Sequence, residues 1–215
     1  MGRSSHFGDE VERSAVPRIP AAERRVALIE AGLRVVAREG LAAASTRAIV
    51  AEAGMSLASF HYAFDSREAF IDELIAAVVA REQAAVLPAP EIDGDGSLRD
   101  LLEAGLLRYL DHLGADPEHE QAMLELTQYA LRSPERHPLA VAQYRRYAEL
   151  AAQALDTAAG QVGATWRVPV DEAAGVLVAF TDGLTLTWLV NRDDDAARAV
   201  VRAAADALSR MADAP

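Results

Sequence analysis

Residues 45–64, STRAIVAEAGMSLASFHYAF, gather Ser45, Thr46, Arg47, Ser56, Ser59, His61 and Tyr62 into one short stretch. Hydroxyl, guanidinium, imidazole and phenol groups are hydrogen-bond donors. To act together they must stand on short, well-defined elements. Ser45 can cap a first helix, its hydroxyl oxygen accepting a backbone N–H that the first turn leaves unpaired. Ile49 and Ala53 lie four apart and share a face, which Ala48 and Val50 widen. Gly54 permits a backbone conformation costly for other residues and can stop that helix. Ser56 is placed to cap a second helix carrying Leu57, Phe60 and Phe64. Two helices joined by a short glycine-containing turn form a helix-turn-helix, whose second helix enters the DNA major groove. The same spacing suits an ordinary helical hairpin, and spacing alone leaves both readings open.

The flanking sequence supplies further helices. Residues 1–19 lack sustained periodicity and read as an arm. Helix 1 should begin near Pro20, with a stripe of Val26, Ile29, Leu33, Val36 and Ala37, and end at Gly40. Val26, Ile29, Leu33, Ile49, Phe60 and Phe64 would share one small core. Helix 4 should start near Ser66 and carry Phe70, Leu74, Ala77 and Val78 toward Leu87. The segment PAPEIDGDG at 88–96 punctuates the chain as a loop. Five more helices follow: from Ser97, from about Pro117 to Arg132, from about Pro138 to Ala159, from about Val170 to Val190, and from about Asp194 to Ala212. Asp194 and Asp195 suit the start of the last, where unpaired N–H groups favour negative charge. No strand candidate emerges. The expected fold is all-α with about nine helices.

Composition narrows the classes. The chain has 215 residues, 51% hydrophobic and 25% charged, which fits a folded protein. It has no cysteine, which removes disulfides, thiolate catalysis and cysteine-ligated zinc. No uninterrupted apolar run reaches the ~20 residues of a membrane helix, and the N-terminal stretch lacks the apolar core of a signal peptide. No membrane partner and a cytoplasmic location are therefore expected. The net charge of −12 is unevenly spread. Residues 1–67 hold nine Arg against eight Asp or Glu, or +1, and residues 68–215 hold twelve Arg against twenty-five acids, or −13. A near-neutral N-terminal part can still present a basic face to DNA.

Enzymatic signatures fail on spacing. His112 and His119 do not have a recognised zinc spacing, and the His119-Glu120 pair lacks the second histidine of a zincin. Glu135 and His137 miss the Glu-x-x-His spacing of a di-iron bundle. No glycine-rich loop follows a strand, and no serine nucleophile motif occurs. No catalytic residue, metal or cofactor is expected.

From Arg24 to about Ile75 the chain resembles the DNA-binding domain of the TetR family of bacterial transcriptional repressors. The parts that carry the resemblance are RRVALIEAGLRVVAREG, then STRAIVAEAGMS, LASFHYAF and DSREAF. The resemblance implies that Arg47 faces operator backbone or an adjacent base edge, with Ser45 and Thr46 beside it. It puts Ser56, Leu57, Ala58, Ser59, His61 and Tyr62 on the turn and recognition helix, and Arg67 on a phosphate at the start of helix 4. This chain departs from the family pattern at Leu57, where a basic residue is frequent, and at Ala58, His61 and Ala63. The recognition helix therefore lacks a bidentate arginine, the strongest base reader. Leu57, Ala58 or Ser59 is expected to read thymine methyls or shape, with His61 and Tyr62 on phosphate.

The resemblance also implies a domain plan: a flexible arm at 1–19, a helix-turn-helix domain at 20–66 and a ligand-binding and dimerisation domain at 67–215. A largely apolar small-molecule effector would bind among Leu106, Tyr109, Met123, Leu126, Thr127, Tyr144, Tyr147, Trp166, Phe180 and Thr181 and release a homodimer from palindromic operator DNA. Leu177, Leu184, Trp188, Val200, Ala204, Ala207, Leu208 and Met211 would form the dimer surface as a four-helix bundle. The alternatives are a DNA-binding regulator without an effector and a helical interaction protein that does not bind DNA.

Overall fold

A computed structural model describes residues 20–82 and 96–213. The N-terminal arm, the extension of helix 4 beyond Glu82 and the loop at 88–95 lie outside the described residues. Within them the elements run α1 (Ala21–Glu39), α2 (Thr46–Glu52), α3 (Leu57–Ala63), α4 (Arg67–Glu82), α5 (Leu98–Ala115), α6 (Pro117–Leu131), α7 (His137–Val162), β1 (Thr165–Trp166), α8 (Val170–Asn191), α9 (Asp194–Ser209) and β2 (Ala212–Asp213).

Side-chain caps set most of the helix starts. Ser45 accepts from the Ala48 N–H and Ser56 from the Ser59 N–H, each at 3.2 Å, and Ser66 accepts from the Ala69 N–H at 3.0 Å. Ser97 and Asp100 form a reciprocal capping box on α5. Asp116 caps α6 and Asp193 caps α9. Gly54, at φ +64°, turns the chain between α2 and α3.

The N-terminal core is built on three aromatic rings. Phe60, Phe64 and Phe70 are buried, with centroids 5.0 to 5.4 Å apart. Leu28, Val35, Val36, Ile49, Ile71 and Leu74 close around them. Val26 is not part of this core: it is 58% exposed. Position 25 faces inward instead, where the Arg25 guanidinium stacks 4.5 Å from the Phe64 ring centre and pairs with Glu73. The core also runs past the first three helices. Phe70, Ile71, Leu74 and Ile75 of α4, and Ala122, Met123, Leu126 and Ala130 of α6, belong to the same cluster.

The C-terminal core gathers Leu98, Leu101, Leu106, Leu110, Leu113, Leu155, Leu184, Trp188, Val201 and Leu208 from α5, α7, α8 and α9. One strand pair corrects the expectation of a chain without strands. Thr165 and Trp166 pair antiparallel with Asp213 and Ala212. Gly163, at φ +69°, reverses the chain after α7, and the Arg167 N–H donates to the Met211 carbonyl at 2.9 Å. Two-residue strands are too short to leave a period-two signal in sequence.

The expected dimer residues are also redistributed. Leu184, Trp188, Ala204 and Leu208 are buried inside the protomer, and Leu177, Val200 and Met211 pack against the same core. The large side chains of α8 and α9 are needed to close that core over α5 and α7. Small ones are left outside: Gly175, Ala179 and Gly183, continued by Leu186 and Val190 on α8, and Ala196, Ala199 and Ala203 on α9, with Ala207 half-buried on the same spacing. This two-sided apolarity gives α8 a mean hydropathy of 1.6 over an 18-residue window, enough by length and composition for a membrane span. Asp182 interrupts the apolar run of this helix. An acid at mid-helix is expensive in lipid.

Candidate nucleic-acid interface and ligand cavity

The capped α2 and α3 hold the expected DNA-facing groups in two sets. Ser45, Arg47, Ser56, Leu57, Ala58, His61 and Tyr62 are exposed, Tyr62 to 84%, while Thr46, Ser59 and Arg67 are half-buried. Phe60 and Phe64 anchor the opposite face of α3, so its outward face is free of packing duties. Ala58, His61 and Tyr62 border a shallow depression of about 160 Å³ on it. Ser59 Oγ lies 3.0 Å from Ser56 Oγ, which joins both serines to the cap.

Arg67 has a different setting from the one expected. Its Nε donates to the Ala44 carbonyl and its Nη2 to the Leu41 carbonyl, both at 2.7 Å. The guanidinium thus braces the turn between α1 and α2, which presents Ser45 and Arg47. Glu52 is paired with Arg34 at 2.7 Å and Arg38 at 2.9 Å. The hydrogen bond from Arg34, followed by that from Arg38, holds its carboxyl below the usual range.

A cavity of about 340 Å³ opens between α5, α6, α7 and α8. That volume is within the range of small-molecule sites. Seven of the ten expected residues line it: Leu106, Tyr109, Met123, Thr127, Tyr144, Tyr147 and Thr181. Leu126 does not; it turns into the N-terminal core. Trp166 and Phe180 pack against the C-terminal core outside the lining. Trp166 is drawn away by the strand pair, and Phe180 lies two residues from Asp182 on the other side of α8.

The polar lining is richer than the sequence suggested. Thr127 Oγ1 donates to Gln143 Oε1 at 3.1 Å, and Gln143 Nε2 donates to the Tyr147 hydroxyl at 2.6 Å. Tyr109 and Thr185 share a hydrogen bond of 2.5 Å. Arg108, His112, His119, Glu120 and Asp182 also reach the lining. Burial raises the Glu120 carboxyl above its ordinary range, opposed by His119 and His112. Burial likewise raises Asp182, opposed by a hydrogen bond from Tyr144. Burial and the Asp182 carboxylate push the Tyr144 hydroxyl up to about 12. Asp182 was legible as the one acid between Glu172 and Asp193. Gln143 carried no comparable signal. Among the described residues no group of three or more His, Asp or Glu is placed to hold a metal ion.

Residues 98–212 match the family described as BetI-type transcriptional repressor, C-terminal, and residues 28–74 match the bacterial regulatory proteins of the tetR family. The HTH-type nicotine-responsive transcriptional repressor HdnoR of Paenarthrobacter nicotinovorans is 29% identical over 179 residues, covering 82% of this chain and 89% of that protein. A solved transcriptional regulator from Pseudomonas aeruginosa PAO1 is 28% identical, with a TM-score of 0.64 over 90% of this chain and 93% of its own. The multidrug binding protein EbrR, solved with imidazole, is also 28% identical, with a TM-score of 0.59 over 90% and 92%. HdnoR and the Pseudomonas aeruginosa protein are named as transcriptional regulators. With a helix-turn-helix at one end and a helical domain enclosing a cavity at the other, the chain belongs to the TetR family of DNA-binding transcriptional repressors.

Proposed function

We propose that this protein is a ligand-responsive repressor that binds palindromic operator DNA as a homodimer and leaves it when a small molecule fills the cavity. The observation that carries the reading is the position of α6. Its Met123 lines the cavity and belongs to the core that holds α3 in place. A ligand acts only through a difference in affinity between two arrangements, and a shared side chain gives occupancy a physical way to make that difference. A relative named for its response to nicotine supports a small-molecule effector.

On the DNA side, Arg47, His61 and Tyr62 serve as phosphate contacts, and Leu57 and Ala58 as apolar contacts to base edges. Ser45, Ser56 and Ser59 combine capping with phosphate contact. Thr46 serves as a further phosphate contact, and Arg67 acts by positioning the turn. Domain limits follow function loosely: α1 to α3 read DNA, while α4 and α6 share their core. Dimerisation uses the uncovered small-residue stripe of α8 with that of α9. Two such faces bring helices close, and dimer geometry then sets the distance between reading heads, about 34 Å for adjacent half-sites.

The test is selection of bound duplexes from a random pool by the purified protein, followed by salt titration. A palindromic, salt-sensitive winner released by a cavity-filling compound is expected. Tight palindromic binding that no such compound alters would instead favour a regulator without an effector, and no enrichment would defeat the DNA-binding reading.

A further inference from the structure

We propose that the cavity takes a cationic amphiphile, with one protonated or quaternary amine set against Asp182 and an apolar body between α5 and α7. The inference rests on the cavity being the effector site and names the chemistry it selects. Asp182 stands near the middle of α8, half-buried, and faces a lining rich in Leu, Ala and tyrosine. An ionised carboxylate in such surroundings is costly unless something pairs with it. The Tyr144 hydroxyl supplies one hydrogen bond, whereas a carboxylate offers about four acceptor sites. Tyr109, Tyr144 and Tyr147 line the same space, and the face of a tyrosine ring attracts cations. The Tyr144 and Tyr147 rings lie 5.5 Å apart at an interplanar angle of 59°, the beginning of an aromatic corner.

The other charges in the lining do not satisfy Asp182. Glu120 on α6 feels His119 and His112, and Arg108 lies one turn from His112 on α5. Both histidines of the lining therefore act on the second acid. The influences on Asp182 are burial and Tyr144, with no basic side chain of the described residues among them. Burial raises its affinity for a proton, and the same burial favours pairing the carboxylate with an amine.

The test uses the purified full chain and three probes of similar shape: phenethyltrimethylammonium, its uncharged carbon isostere 3,3-dimethylbutylbenzene, and the anion 4-phenylbutyrate. Binding is read by calorimetry or by competition in tyrosine and tryptophan fluorescence. The ammonium is expected to bind at least about tenfold more tightly than the isostere. Asp182→Asn should remove that preference and leave the isostere within about twofold. Glu120→Gln, at the balanced end, should have the smaller effect. Equal binding of ammonium and isostere, tighter binding of the anion, or a cation preference that survives Asp182→Asn overturns the inference while leaving the cavity a ligand site. No binding by any probe overturns both. Cation binding that leaves operator affinity unchanged upholds the inference and defeats only the regulatory reading.

Discussion

The carboxylate of Glu125 accepts the backbone N–H of Leu41 at 2.6 Å, tying α6 to the turn between α1 and α2. The same turn receives Arg67 through the carbonyls of Leu41 and Ala44. Ser45 follows immediately and starts α2. The cavity wall is thus joined to the helix-turn-helix by the Glu125 side chain, in addition to the shared core. Glu125→Ala should cost about 1.5–3 kcal/mol of stability, as expected for a charge-assisted hydrogen bond. It should also shrink the ratio of operator affinities measured with and without effector. An undiminished ratio would show that the core alone transmits occupancy.

Arg47 and Arg67 should separate cleanly. Arg47 is exposed, so Arg47→Ala is expected to leave thermal unfolding alone, weaken operator binding and reduce the salt slope by about one unit. Arg67→Ala frees two carbonyls of the turn and should lower both stability and affinity. Melting curves beside salt titrations of each variant decide the matter; an Arg67→Ala protein with normal melting would return that residue to a simple phosphate role.

Gly32 sits where a Cβ would fall 2.3 Å from Cζ of Phe70. Phe70 is fully buried against Phe60 and Phe64, so its ring has little room to yield. Gly32→Ala should therefore destabilise by roughly 1–3 kcal/mol despite the better helix propensity of alanine. Denaturant unfolding measures it. A gain in stability would mean that the ring can move.

Asp182 should also leave a mark on the pH dependence of the empty protein. Its folded pKa lies above the unfolded value because of burial. The group therefore opposes folding near neutral pH, and that opposition fades as pH falls through the raised folded value. Asp182→Asn is expected to raise the unfolding midpoint near pH 7, by roughly 2–4 °C at most, with the gain diminishing toward acid. A uniform shift at every pH would point to packing as the cause.

The uncovered stripe of α8 and α9 gives a test of assembly. A Cβ at Gly175 or Gly183 would meet nothing within 4 Å in the protomer. Gly183→Arg should thus fold normally yet sediment as a monomer and lose tight operator binding. A dimer that persists in ultracentrifugation would place the interface elsewhere.

The fold was legible in sequence wherever a local rule governed it. Ser45 and Ser56 are caps as their spacing implied, Ser66 and Ser97 cap the helices expected to start beside them, and Gly54 makes the expected turn. Long-range choices were less visible. Periodicity marks an apolar face without saying which neighbour covers it, so Leu184 and Leu208 suited a dimer surface as well as the interior they occupy. The same ambiguity put Leu126 in the cavity, although the buried apolar residues of α6 belong to the N-terminal core. Arg67 was recognisable as basic, but its carbonyl partners lie 23 and 26 residues away and leave no local trace. Seven cavity residues were found because bulky and hydroxyl-bearing side chains fit such a site, while Asp182 and Gln143 lay outside that expectation.

The double membership of Met123 bears on how this regulator could acquire new effectors. If the cavity is the effector site proposed above, a substitution there would alter ligand fit and the support of α3 together, so selection for a new compound would be penalised by lost DNA recognition. Leu150, Ala154 and Val178 line the cavity from α7 and α8 without belonging to the N-terminal core. Libraries aimed at changing specificity should yield functional variants at those positions far more often than at Met123, which makes one wall of the site evolvable and the other conservative.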